Sequence, residues 1–193
     1  MTDQLEETTP EPSKKTSASV GRFLLELLET VVLAVILYFG IDAVIARVRV
    51  ENISMEPTLV PGEFLMVNKL AYKFGQPTYG DIVVFHYDPT EDYIKRVIGL
   101  PGDLVEVKGG IVYVNHRPFT EPYISAPPNY MGTWTVSADS LFVLGDNRNN
   151  SSDSHVWGFV DMKEVIGKAI VIYWPLKDAR LIQSALVISA AAK

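Results

Sequence analysis

Three stretches of this chain carry side chains able to do covalent chemistry. Ser54 stands in Asn52-Ile53-Ser54-Met55-Glu56-Pro57-Thr58-Leu59. Pro57 fixes its own φ and pushes Glu56 away from the helical region, so this piece is a rigid turn or an extended segment. A serine there is a turn former or a nucleophile, and the segment alone does not choose. Lys95 stands in Asp92-Tyr93-Ile94-Lys95-Arg96-Val97-Ile98-Gly99. On a strand Tyr93, Lys95 and Val97 share one face, and Ile94, Arg96 and Ile98 share the other. Apolar surroundings disfavour an ammonium and lower its pKa, whereas a guanidinium stays charged, so only the lysine can become a base. The bland alternative is a lysine whose stem lies over the sheet and whose amine ends in water. The third stretch is an uninterrupted polar run from Asp146 to His155, set between LFVLG and GFV. It is a solvent loop or a folded-back network of carboxylate, hydroxyl and guanidinium groups. A Ser54/His155/Asp triad is the rival arrangement, and spacing argues neither for nor against it.

Composition narrows the chemistry. The 193 residues contain no cysteine, which removes disulfides, thiol nucleophiles and Cys-built metal sites. The three histidines, His86, His116 and His155, are far apart and in no chelating spacing, so neither a metal nor another cofactor is expected. The formal net charge of −6 lacks the basic face that a general nucleic-acid binder needs.

The elements that must position these residues are legible in part. Residues 1–22 mix Pro, Ser, Thr and charges and read as a flexible tail. Residues 23–46 are apolar, with Glu26 and Glu29 near one end and Asp42 near the other. A helix crossing a bilayer needs about 20 mostly apolar residues, so this segment reads as a single membrane anchor. A cleaved secretory signal and an amphipathic soluble helix are the competing readings. Lys14, Lys15 and Arg22 precede the span and Arg47 and Arg49 follow it, a slight lean toward a cytoplasmic N-terminus. Residues 47–175 show short apolar runs broken by turn signals, the pattern of a strand-built domain. The expected strands are 64–67, 81–87, 93–98, 104–107, 111–114, 141–144 and 165–173. Gly109-Gly110 reads as a hairpin turn. The stretch holding Pro118, Pro122, Pro127 and Pro128 reads as irregular. Residues 176–193 form a C-terminal tail whose apolar part is too short to span a bilayer.

SMEPTL, YGDIVVF (Tyr79–Phe85), DYIKRVIGLPGD and GDNRNNSSDSHVWGFV, in that order and downstream of an apolar span, resemble the successive sequence boxes of the bacterial type I signal peptidases. The likeness covers residues 54 to 160 and the anchor before them. It implies a mainly antiparallel, barrel-like β catalytic domain with a small inserted lobe, expected at 104–141 as one hairpin with Pro-rich loops. It also implies a Ser/Lys dyad in which Ser54 is the nucleophile and Lys95 the general base. Ser151 matches a serine that orients the lysine. Asp146, Arg148 and Asp153 match residues that hold the site together. His155 sits where some members carry an arginine paired with the loop aspartate, which makes the Asp153 contact less secure than the dyad. The oxyanion hole falls to the Ser54 backbone N–H and a second donor at position 52, here Asn52 where some members have serine. Val50 and Ile94 match positions lining the substrate pockets. The implied partners are secretory preproteins, cut after small residues, and the lipid bilayer, with the catalytic domain outside the cytoplasm. The rival classes are a membrane-tethered β scaffold without chemistry, which needs neither Ser54 nor Lys95, and a self-cleaving repressor-type Ser/Lys peptidase. The anchor and the lack of a DNA-binding helix pair argue against the second.

Overall fold

The structure, a computed structural model, describes residues 16–184. The expected tail up to residue 15, with Lys14 and Lys15, and the apolar segment from residue 185 onward lie outside the described residues. The chain divides into two units, residues 1–42 and 43–193.

The first unit holds one helix, α1 (Thr16–Val44). Its part from Val20 to Val44 has a mean hydropathy of 2.2 and exposes its side chains. Those 25 residues extend about 37 Å, more than the roughly 30 Å of a bilayer core. The helix begins inside the stretch expected as tail, and Ile45 and Ala46, expected in the anchor, belong to the first strand. Hydropathy alone does not separate an apolar helix from the apolar strand that continues it.

The second unit is built from strands, all of whose pairings are antiparallel. The larger sheet comprises β1 (Ile45–Arg49), β2 (Phe64–Asn68), β3 (Ile82–His86), β4 (Asp92–Gly99), β9 (Ser140–Leu144), β10 (Val160–Asp161), β11 (Val165–Trp174) and β12 (Arg180–Leu181). They run in the order β1-β2-β11-β3-β4-β9-β10, with β12 added on β11. The second sheet comprises β5 (Leu104–Lys108), β6 (Ile111–Val114), β7 (Arg117–Pro118) and β8 (Gly132–Thr135), in the order β7-β6-β5-β8. The β5–β6 turn is Gly109-Gly110 with φ of 59° and 77°, the positive values that a two-residue hairpin loop requires.

All seven expected strands are present. The inserted lobe is larger than one hairpin: β7 and β8 complete a four-stranded sheet, and the Pro-rich stretch between them stays irregular. The C-terminal stretch expected as tail packs on the sheet as far as it is described. Arg180 reaches Glu63 Oε1 at 3.1 Å and the Thr58 carbonyl at 2.7 Å. Ser184 donates to Asp81, which also pairs with Lys168 at 2.6 Å.

The alternation on β4 divides its side chains as expected. Ile94 packs on the cluster of Val50, Met55, Leu65 and Val84, while Tyr93 and Val97 belong to the cluster of Val83, Phe85 and Val143. Ile98 joins a third cluster that couples β9 to the second sheet through Val105, Val112 and Phe142.

Two of the open edges of the larger sheet lie on β4 and β1. β4 pairs with β3 along residues 92–96, but β9 pairs with it only from Arg96 onward. Residues 92–95 therefore have one edge without a strand partner among the described residues. β1 ends the larger sheet, so its edge away from β2 is also without a strand partner among the described residues.

Candidate active site

Ser54 sits in a 3-10 turn, Ile53–Met55, entered from an extended Asn52 and left through an extended Glu56. The turn is anchored from below by Met55, which is buried, and by Leu59, whose N–H binds the Met55 carbonyl. It is clamped from the side by the polar run. Asn147 donates its backbone N–H to the Ser54 carbonyl at 3.0 Å and its side-chain amide to the Ile53 carbonyl at 3.2 Å. Gly145 packs so closely that a Cβ there would fall 2.4 Å from the Ser54 carbonyl oxygen and 2.2 Å from Ser151 Oγ.

Lys95 approaches from β4. Its Nζ lies 2.9 Å from Ser54 Oγ and 3.1 Å from the Ile94 carbonyl. The residue is 4% exposed, and the Tyr93 ring centroid is 5.0 Å from the amine. Loss of hydration disfavours the ammonium and pulls its pKa from 10.5 to about 8, against the opposing attraction of Asp153 and Asp146. The dry setting wins because neither carboxylate bonds the amine directly, whereas burial acts on the charge itself. An amine with this proton affinity is neutral in a usable fraction near neutral pH, and it touches a hydroxyl.

The remaining residues build the frame. Asp146 receives Arg96 through Nε at 2.7 Å and Nη2 at 2.6 Å, and accepts from Thr58 Oγ1 at 2.5 Å. Both ions are buried, and the Arg96 guanidinium also donates to the Gly80 carbonyl and packs 3.9 Å over the Tyr123 ring. Arg148 is buried and forks onto both oxygens of Glu121 while its Nε binds the Gly145 carbonyl at 3.1 Å. Asp153 caps the short helix α2 (Ser154–Trp157). Its Oδ2 accepts from Gly145 N at 2.9 Å, and its Oδ1 lies 2.6 Å from His155 Nδ1.

The sequence-derived residues come together unequally. Ser54 and Lys95 are in contact. Asn52, Val50 and Ile94 line a cleft of about 560 Å³ bounded by residues 48–55, 90–95, Asn150 and Ser152. Asn52 does not cap its turn, leaving its amide uncommitted there. Asp153 does hold His155, despite the missing arginine. Ser151 lies against Gly145 and the Ser54 turn, yet its Oγ is buried with no hydrogen-bond partner among the described residues and does not reach Lys95. His155 is bonded to Asp153 and stacked on Tyr130 with ring centroids 3.9 Å apart, while the Ser54 hydroxyl bonds Lys95, so the triad arrangement is not formed. Sequence reasoning passed over Arg96, Glu121, Thr58 and Asn147. Arg96 had a signal, a cation on an apolar strand face that demands a buried anion. Glu121 had none, lying in a Pro-rich stretch.

Comparison with known proteins places the chain in a family. Residues 24–174 match the family model described as signal peptidase, peptidase S26. A signal peptidase I of Leptolyngbya laminosa is 44% identical over 91% of this chain and 94% of its own. A probable signal peptidase I-2 of Synechocystis is 45% identical over 89% and 83%. A crystal structure of a signal peptidase I from Enterococcus faecalis covers 48% of this chain and 96% of its own, at 31% identity and a TM-score of 0.44. The molecule is thus a β-built hydrolase with an apolar N-terminal helix. The chain belongs to the signal peptidase family, peptidase S26.

Proposed function

We propose that this protein is a membrane-anchored serine endopeptidase that removes signal peptides from secretory preproteins, with Ser54 as nucleophile and Lys95 as general base. One observation carries the reading: a buried amine of lowered proton affinity lies 2.9 Å from a serine hydroxyl at the floor of an open cleft.

In the first step Ser54 Oγ attacks the scissile carbonyl carbon and its proton passes to Lys95 Nζ. The oxyanion faces the Ser54 backbone N–H, with the Asn52 amide as second donor. Collapse breaks the C–N bond, and Lys95 returns the proton to the departing amine of the mature chain. Water then attacks the ester, again losing a proton to Lys95, and Ser54 leaves as the hydroxyl. The frame built by Asp146, Arg96, Arg148 and Asp153 keeps both reacting groups in register. Ser151 fills the space beside Gly145 that fixes the height of the Ser54 turn.

The open edges of β1 and of residues 92–95 flank the cleft, so a substrate fits as an added strand between them. Main-chain hydrogen bonds give affinity, and Val50 and Ile94 in the cleft wall select small side chains by apolar contact. The apolar helix holds this domain at the membrane where signal peptides lie, with the N-terminus cytoplasmic and the strand-built domain on the far side. That tethering raises the effective concentration of substrate.

The test is cleavage of a purified preprotein by the full chain in detergent micelles. Wild type should release the mature chain, and Ser54→Ala and Lys95→Ala should each be inactive. Undiminished processing by both variants would overturn the mechanism, and no processing by the wild type would favour a scaffold.

A further inference from the structure

The irregular Pro-rich stretch between β7 and β8 grips the polar run at successive points. Both carboxylate oxygens of Glu121 receive the Arg148 guanidinium, and Tyr123 donates its hydroxyl to Glu121 Oε1 at 2.9 Å. Asn149 accepts from Asn129 N at 2.9 Å and donates to the Pro127 carbonyl at 3.0 Å. Tyr130 stacks on His155. Glu121 is the one charged residue from Phe119 to Met131. Its side chain is 6% exposed, and that of Arg148 is fully buried.

From Arg148 the hold passes to the Ser54 turn by two routes. Arg148 Nε binds the Gly145 carbonyl at 3.1 Å, and Gly145 lies too close to the Ser54 carbonyl oxygen to admit a Cβ. Arg148 also follows Asn147 in the chain, and Asn147 bonds the carbonyls of Ser54 and Ile53. A guanidinium keeps its charge when buried, so it stays inside only where an anion meets its fork.

We infer that Glu121 is a positioning residue for the peptide-cleaving reaction: acting through Arg148, it holds Gly145 and Asn147, and with them the place of Ser54 against Lys95. This inference rests on the Ser54/Lys95 reading and gives the inserted lobe a part in it. Without the carboxylate, Arg148 turns out toward water and releases the Gly145 carbonyl. The strand edges that bind substrate stay in place, so turnover suffers and binding does not.

The experiment measures kcat, KM and Tm for preprotein cleavage by the full chain in detergent. The proteins are wild type, Glu121→Gln, Glu121→Asp and the double variant Glu121→Met with Arg148→Met. Glu106→Gln is the control, since Glu106 bonds Lys108 and His116 within the same lobe. Glu121→Gln should lose about 100-fold in kcat with KM within about threefold of wild type. Glu121→Asp, which keeps the charge and shortens the reach, should lose about tenfold, and the control should stay within about threefold. The double variant separates positioning from mere stability, because apolar residues of similar volume replace a buried ion pair without loss of stability. It should regain the wild-type Tm and not the wild-type kcat. A double variant that regains both, or a kcat within about threefold of wild type in Glu121→Gln, overturns the inference and leaves the Ser/Lys mechanism intact. Should the glutamine variant fail to fold, a kcat within about threefold of wild type in the aspartate or double variant overturns it equally. Activity in Ser54→Ala and Lys95→Ala overturns both.

Discussion

Replacing Gly145 with alanine adds one methyl group at the point where the polar run meets the Ser54 turn. The new carbon would fall 2.4 Å from the Ser54 carbonyl oxygen, 2.2 Å from Ser151 Oγ and 2.6 Å from Ser151 Cβ. Relief requires a displacement of about 1 Å, because ordinary carbon contacts lie near 3.5–4.0 Å. Two neighbours can give way. Rotation of the Ser151 side chain can move its Oγ, but its Cβ is fixed to the backbone and moves only with the loop. The Ser54 carbonyl is backbone, tied to Asn147 N, and moves only by carrying Ser54 with it. A misplacement of that size at reacting atoms lowers rate by about 100-fold. The same crowding costs about 1–3 kcal/mol of stability. The two effects separate through a control. At Gly99 a Cβ would meet Val105 at 2.6 Å, Val136 at 2.9 Å and Phe142 at 3.1 Å, all side chains of the apolar cluster that joins β9 to the second sheet. Steady-state cleavage and thermal denaturation of both variants provide the assay. Gly145→Ala is expected to lose about 100-fold in kcat, whereas Gly99→Ala loses comparable stability and keeps kcat within a few-fold. A Gly145→Ala enzyme within threefold of wild type, or an equal kcat loss in Gly99→Ala, would refute the idea that this contact sets the place of Ser54.

The geometry dictates further outcomes. Activity should fall on the acid side with a limb near pH 8, since Lys95 is a base only when neutral; a limb near the usual 10.5 would mean a hydrated amine. Stability carries the same signature: the folded chain releases the Lys95 proton more readily than the unfolded chain, so Lys95 adds stability as pH rises from about 8 toward 10.5. Urea denaturation should therefore show wild type gaining about 2 kcal/mol on Lys95→Met between pH 7.5 and 9.5, and parallel curves would contradict it. Arg96→Met strands the buried Asp146 charge and should cost about 3–5 kcal/mol, read as a large fall in Tm with loss of cleavage. Arg180→Ala uncovers Glu63 and frees the Thr58 carbonyl, and should cost about 1–3 kcal/mol in urea denaturation.

The strands were readable where apolar runs end at turn residues: Pro61-Gly62 before β2, Pro101-Gly102 before β5 and the glycine pair before β6. β1 was hidden because Ile45 and Ala46 prolong the apolarity of α1. β8, with Gly132 and Trp134, was hidden because four residues beside a Pro-rich loop carry little alternation, and its partner β5 makes it a strand. The dyad was legible only through resemblance. A strand pattern puts Lys95 on an apolar face but says nothing about whether its amine escapes to water. Burial by Tyr93 and contact with the Ser54 turn are tertiary facts. The Arg148–Glu121 fork is of the same kind, joining residues 27 apart across an irregular loop.

The Ser54 turn is clipped by Asn147, with Asn147 Nδ2 reaching a carbonyl 94 positions earlier in the chain, and its hydroxyl meets an amine 41 positions later. No contiguous fragment shorter than this span holds both partners and the clip. Under the proposed mechanism, a chain that has not yet brought Asn147 and Lys95 onto the Ser54 turn lacks the arrangement that cleavage requires.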